Sequence, residues 1–231
     1  ENPKYTKQDI ASILSQTKFN ASNEINKVYE SDKIPFRFDY GENDADTYST
    51  ANIHGTHVAG IAAGNSSDGE FRGVAPDAQL VLMKVTDEEG YFDGAAMAAA
   101  LDDAAKLGVC AINCSYGADF QAIDDGDPVL ETCYENAYNA GIFVSAAAGN
   151  WNRGFWNKSL ETTNIDDSAT GTPNALDTTI SIGSVDNNII YYDATEITLS
   201  DGTVIEGRPA YNGTQSLIAG EYEYCNLGYP E

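Results

Sequence analysis

The feature that most narrows the fold is an alternation. Short apolar runs occur at 79–85 (QLVLMKV), 109–114, 142–148 (IFVSAAA) and 178–185 (TTISIGSV). Helical patterns fill intervals between them at 93–107, closed by Gly108, and at 128–140, opened by Pro128 and followed by Gly141. Runs of strand length that alternate with helix-length segments demand parallel β-α-β crossovers. The predicted class is therefore α/β: three layers around a mostly parallel sheet. A nucleotide-binding sheet would show the same alternation, but it needs a glycine-rich phosphate loop after a strand, and this sequence has none.

The flanks differ from this middle. Residues 6–16 form a predicted helix, with Thr6 and Asp9 in a capping arrangement and Ile10, Ile13 and Leu14 on one face. A polar stretch follows, then a predicted strand at 34–40 and an exposed acidic loop at 42–46. The helix predicted at 54–64 (HGTHVAGIAAG) is small and apolar on nearly every face, so burial on most sides is expected. Its glycines weaken the helix and imply close packing. Beyond Asp186 the pattern becomes all-β, with short strands at 189–192, 196–199 and 203–206 and a hairpin turn at Ser200-Asp201-Gly202. The expected organisation is 1–51 before the histidine helix, 52–186 as the α/β core and 187–231 as a β-rich segment.

Composition removes several classes of function. Hydrophobic residues make up 42% of the 231, a globular proportion. Twelve Lys and Arg against 36 Asp and Glu give a net charge of -24, which excludes nucleic acid and an anionic membrane surface as partners. No apolar run approaches the roughly 20 residues of a membrane span. Cys110 and Cys114, in an apolar run, are expected as buried free thiols, and a Cys133–Cys225 disulfide stays open. Asp124, Asp125 and Asp127 have the oxygen chemistry of a calcium site, yet a solvated loop is the plainer reading in so acidic a chain. No metal or cofactor is required. Asn20, Asn65, Asn113, Asn157 and Asn212 begin N-x-Ser/Thr sequons read as chance matches, with Asn113 expected to be buried.

Three motifs carry chemistry, in a fixed order: HGTHVAG from His54, NCSYG from Asn113 and AAGN ending at Asn150. The last two end predicted strands, so both fall on the carboxyl rim of a parallel sheet, where ligands bind. Together with Gly73-Val74-Ala75-Pro76 and the run after it, they resemble the subtilase family of serine peptidases over about 52–185. The resemblance implies that His54 is the general base and Asn150 the side-chain oxyanion donor. It implies that Ser115, Tyr116, Gly117, Ala148 and Gly149 bind an extended peptide or protein substrate, and that Ser115 is no nucleophile. His57 is expected to pack, and Gly90-Tyr91-Phe92 is either a cleft wall or a plain turn.

The sequence also departs from that family. It has no Gly-Thr-Ser-Met-Ala-like segment to supply the serine. Asp39, in FRFDYG, only imitates the triad aspartate, which is expected before Glu1. The flanks resemble the large cell-envelope proteinases of Gram-positive bacteria, where a β domain interrupts the catalytic domain before the serine. The chain is thus expected to be the middle of a secreted or cell-wall peptidase, inactive alone and prone to self-association through uncovered faces. The rival expectation is a degenerate subtilase that serves as a binding or scaffold module.

Overall fold

The computed structural model describes residues 4–20, 24–49, 52–87, 91–117, 127–149, 172–184, 195–198 and 202–207. The chain divides into two compact units, Glu1–Ser184 and Val185–Glu231.

In the first unit, Thr6 caps α1 (Lys7–Ile13) reciprocally with Asp9: the Asp9 amide donates to Thr6 Oγ1 at 3.3 Å and the Thr6 amide to Asp9 Oδ2 at 2.8 Å. Ile10, and Leu14 in the following 3₁₀ turn Leu14–Gln16, are fully buried. Within the stretch read as merely polar, a one-turn helix, α2 (Ile25–Val28), buries Val28.

The strands are parallel, as the crossovers require. β1 (Phe36–Asp39) pairs with β2 (Val81–Lys84), and β3 (Ala111–Cys114), β4 (Phe143–Ala147) and β5 (Ile180–Ile182) pair in that order. One sheet was expected. Among the described residues of the first unit there are two, because β2 and β3, linked through α4, are not hydrogen-bonded neighbours.

Helix α4 (Gly94–Leu107) starts where Asp93 accepts the Ala95 amide at 2.8 Å. It stops at Gly108, whose φ of 68° a side chain would resist. The Tyr5 hydroxyl then donates toward the carbonyls of Leu107 at 2.8 Å and Gly108 at 2.6 Å, groups left without intrahelical partners. Helix α5 (Pro128–Asn139) is capped by Asp127, which accepts the Val129 amide at 2.9 Å, and buries Tyr134 and Ala137. These helices share one core with Phe36, Phe38, Tyr40, Cys114, Val144 and Ala146. The buried carboxylate of Asp103 is satisfied inside it by the Tyr40 hydroxyl and the Lys18 amide, each at 2.8 Å, with Lys106 at 3.5 Å.

Helix α3 (His54–Ala63) corrects an expectation. It buries only Ala63, and Ile61 is 49% exposed. Its carboxyl end alone is covered, where the Gly73, Val74 and Ala75 amides donate to the carbonyls of Gly64, Ile61 and Ala62 at 2.8–2.9 Å. Glycine is required at that contact: a Cβ on Gly73 would lie 2.7 Å from Gly60 O. The outer face of the three-stranded sheet is uncovered as well. By register Phe143 lies opposite Ala111 and Ile180 opposite Ser145, and Phe143, Ile180 and Ile182 are each about half exposed. The third layer is therefore not closed among the described residues.

One further expectation changes. Cys114 is a buried free thiol, but Cys110 is free and exposed, because it precedes β3 rather than lying within it. Of the pair Cys133 and Cys225, Cys225 lies outside the described residues.

In the second unit, β6 (Thr195–Thr198) and β7 (Val204–Gly207) form an antiparallel hairpin, with Thr198 opposite Val204. Gly202 takes φ 87° in the turn, the geometry that its Asp-Gly signal called for. The strand predicted at 189–192 lies outside the described residues.

Candidate active site

The sheet's carboxyl rim places two of the three motifs side by side. Cys114 ends β3 opposite Ala146 of β4, so residues 115–117 and 148–149 leave adjacent strands at the same edge. Ala148 still donates to Ile182 O at 2.9 Å, and Gly149 then turns the chain away with φ 89°, which explains the glycine there. Asn150 lies outside the described residues.

Side chains on the two faces of this rim behave differently. On the outer face, Asn113 Nδ2 donates to Ser115 Oγ at 2.9 Å, and Ser145 Oγ donates to Asn113 Oδ1 at 3.2 Å. Asn113 is exposed rather than buried, because the face it shares with Ser145 is uncovered. On the inner face, Tyr116 turns its hydroxyl into the core, 3.0 Å from each of Met97 Sδ, Cys114 Sγ and the Tyr134 hydroxyl. Burial pushes the Cys114 thiol up and the Tyr116 and Tyr134 phenols well above their ordinary range, so all three stay protonated at neutral pH. The half-exposed Phe92 ring packs against the Tyr116 ring at a tilt of 40°, with centroids 5.0 Å apart.

Gly117 faces the loop that begins at Thr172: a Cβ there would meet Thr172 O at 3.4 Å, an ordinary contact that does not by itself demand glycine. Asn174, two residues further along the same loop, donates from Nδ2 to Ala147 O at 2.8 Å and braces the end of β4. No sequence signal pointed to Asn174, Met97 or Tyr134 as supports of the rim, since each acts across the chain.

His54 is the first residue of α3, and its amide donates to Asn52 Oδ1 at 3.0 Å. In a crossover the helix runs against the strands, so its first turn faces their carboxyl ends. The imidazole is exposed and has no hydrogen-bond partner among the described residues. His57 is exposed too, where packing was expected, because nothing described covers that side of α3. Asp39 is 1% exposed and fully engaged elsewhere. Its Oδ2 accepts from Lys84 Nζ at 2.5 Å and its Oδ1 from the amides of Gly41 at 2.9 Å and Glu42 at 3.1 Å. Burial pulls the Lys84 ammonium down, but the bond and charge of Asp39 outweigh it and leave it above its ordinary value. Asp39 therefore clamps a turn and is not paired with His54.

Of the remaining candidates, Asp127 serves as a helix cap, and Asp124 and Asp125 lie outside the described residues. Among the described residues no cluster of His, Cys, Asp or Glu suits a metal ion. Gly90 is likewise outside them, whereas Tyr91 is exposed and Phe92 half exposed.

This is a parallel α/β protein with two of its three motifs at adjacent strand ends, the class that its sequence anticipated. Residues 10–222 match the model of the subtilase family, and the chain belongs to that family. A PII-type proteinase of Lactococcus lactis subsp. cremoris is 30% identical over 222 residues, which is 89% of this chain and 11% of that protein. Subtilisin DY of Bacillus licheniformis is 32% identical over 144 residues, 62% of this chain and 47% of its own length. A C5a peptidase of Streptococcus pyogenes serotype M6 is 33% identical over 161 residues, 66% of this chain and 13% of the relative. Among solved structures, the protease domain of PatA, in a mutant form, matches with a TM-score of 0.50 at 22% identity. That match covers 62% of this chain and 48% of that one, and shows the fold alone. The chain thus spans about a ninth of the length of the lactococcal relative.

Proposed function

We propose that the protein containing this chain is a secreted or cell-surface serine endopeptidase that cleaves extended polypeptides through an acyl-enzyme. The observation that carries the proposal is the subtilase match over 10–222, together with His54 opening α3 and two substrate-strand motifs at adjacent strand ends. His54 takes the proton of the nucleophilic serine and returns it to the leaving amine. Asn150 donates to the oxyanion. Residues 115–117 and 148–149 pair with the substrate main chain, as an added strand does. The nucleophile and the triad carboxylate come from outside these 231 residues, which supports the organisation 1–51, 52–186 and 187–231, with the last part leading into a β insert. The broad coverage in the lactococcal proteinase, against 62% in subtilisin DY, supports a cell-surface setting in a Gram-positive bacterium.

The test compares the full-length protein with residues 1–231. A fluorophosphonate probe should label the former and not the latter, and labelling of residues 1–231 would refute the division of the site. In the full-length protein, Asn150→Ala should lower kcat about 10²–10³-fold, the magnitude known for a member of this family. His54→Ala should abolish labelling.

A further inference from the structure

We propose that Tyr116 is a positioning residue for the peptide-pairing strand: its buried hydroxyl holds the main chain of residues 115–117 at the height that an extended substrate needs. The inference rests on the peptidase reading above.

Strand geometry sets up the arrangement. Side chains alternate along a strand, so Tyr116, two residues beyond Cys114, turns to the same inner face. The ladder with β4 ends at Cys114 opposite Ala146, and β3 is the edge of its sheet among the described residues. Residues 115–117 thus continue past the last paired position, where an edge can accept another strand. What sets their height is the Tyr116 side chain.

That side chain is held at both ends. Outside, its ring lies on Phe92, which is 45% exposed. Inside, its oxygen meets groups from three elements: Met97 of α4, Cys114 of β3 and Tyr134 of α5, none more than 3% exposed. One hydroxyl proton can serve only one partner at a time, and between the two tyrosine hydroxyls either can donate. Three buried partners around a single oxygen leave little room for it to move without stranding a polar group. The Tyr116 side chain ties this node to the middle of residues 115–117, one residue beyond the main-chain link at Cys114, so displacement of the oxygen displaces them.

The experiment uses the full-length protein. Tyr116→Phe removes one atom and keeps the ring. KM for a peptide long enough to lie along residues 115–117 should rise about fivefold, equivalent to about 1 kcal/mol. That rise should exceed both the change in kcat and the change in KM for a short ester that does not reach the strand. Tyr134→Phe withdraws the partner on α5 without touching the surface. It should give the same length-dependent shift, and the double variant no more than either alone. Equal losses on long and short substrates would overturn the inference. So would a lowered Tm with both KM values unmoved, which would assign the node to stability alone. If the wild-type full-length protein cleaved neither substrate, the peptidase reading would fall and the inference with it. Cleavage with an unshifted Tyr116→Phe would remove only the inference.

Discussion

Helices α3 and α4 are made of nearly the same material and meet opposite surroundings. Each is rich in small residues: three alanines and two glycines in α3, seven alanines and one glycine in α4. Yet α4 buries seven of its 14 residues, including Met97, Leu101 and Leu107, and α3 buries one of its 10. The difference lies in pattern. In α4 the apolar residues form a stripe, and Asp102 and Lys106 pair at 2.5 Å on a more exposed side. In α3 small residues occur all round, so the sequence states that the helix can be approached closely but not from where. Its close described neighbours, Phe71 and the 73–75 segment, lie at the carboxyl end. Small-residue composition therefore signals a capacity for burial, and a stripe signals burial against a definite partner.

This contrast predicts unequal costs for similar truncations. Leu101→Ala, at 3% exposure, should lower unfolding free energy by about 2–5 kcal/mol, read from urea or thermal melts. A cost below that of the matched α3 truncation would break the comparison.

Alkaline titration should sharpen it. Burial raises Tyr40, Tyr116, Tyr134 and the Cys114 thiol, all packed in the core that α4 helps to build and none on α3; at Tyr40 the charge of Asp103 adds to burial. Their folded pKa values exceed the unfolded ones, about 8.5 for a thiol and about 10 for a phenol. The folded state therefore holds these protons more tightly. This stability is fully present below the unfolded values and is lost as pH rises toward the folded ones. Tm should fall as pH climbs from about 8.5 upward, and phenolate absorbance of the three tyrosines should appear together with loss of helix. Ionisation of all three with the helices intact would contradict the packing described here.

The smallest effect belongs to α3. Ile61→Ala should change stability by no more than about 0.5 kcal/mol, since the side chain is 49% exposed. A larger loss in the full-length protein than in residues 1–231 would show that this face is covered in the former.

Much of the fold was legible beforehand because its signals are local. Thr6 with Asp9, Asp93 with Gly108, Pro128 with Gly141 and the Asp-Gly turn at 201–202 each mark an element end through a hydrogen bond or a backbone angle within a few residues. The same holds for the rim motifs, whose placement follows from strand direction. Burial was less legible. Ile180, Phe143 and Asn113 sit in runs that look buried on both faces, and alternation cannot say whether a second face finds a cover. Asp39 imitated a catalytic acid in its local sequence, and only Lys84, far along the chain, shows where its charge is used.

Apart from the one-turn helix α2, the order of the described elements, the parallel α/β class and the family were readable from local pattern, since periodicity, caps and short motifs act through neighbouring residues. Which faces are covered and what Asp39 binds emerged only on folding. Folding alone brought Met97, Cys114 and Tyr134 around the Tyr116 hydroxyl. Those facts depend on contacts between residues distant in the chain, whose identities carry no local mark of the partners they will meet.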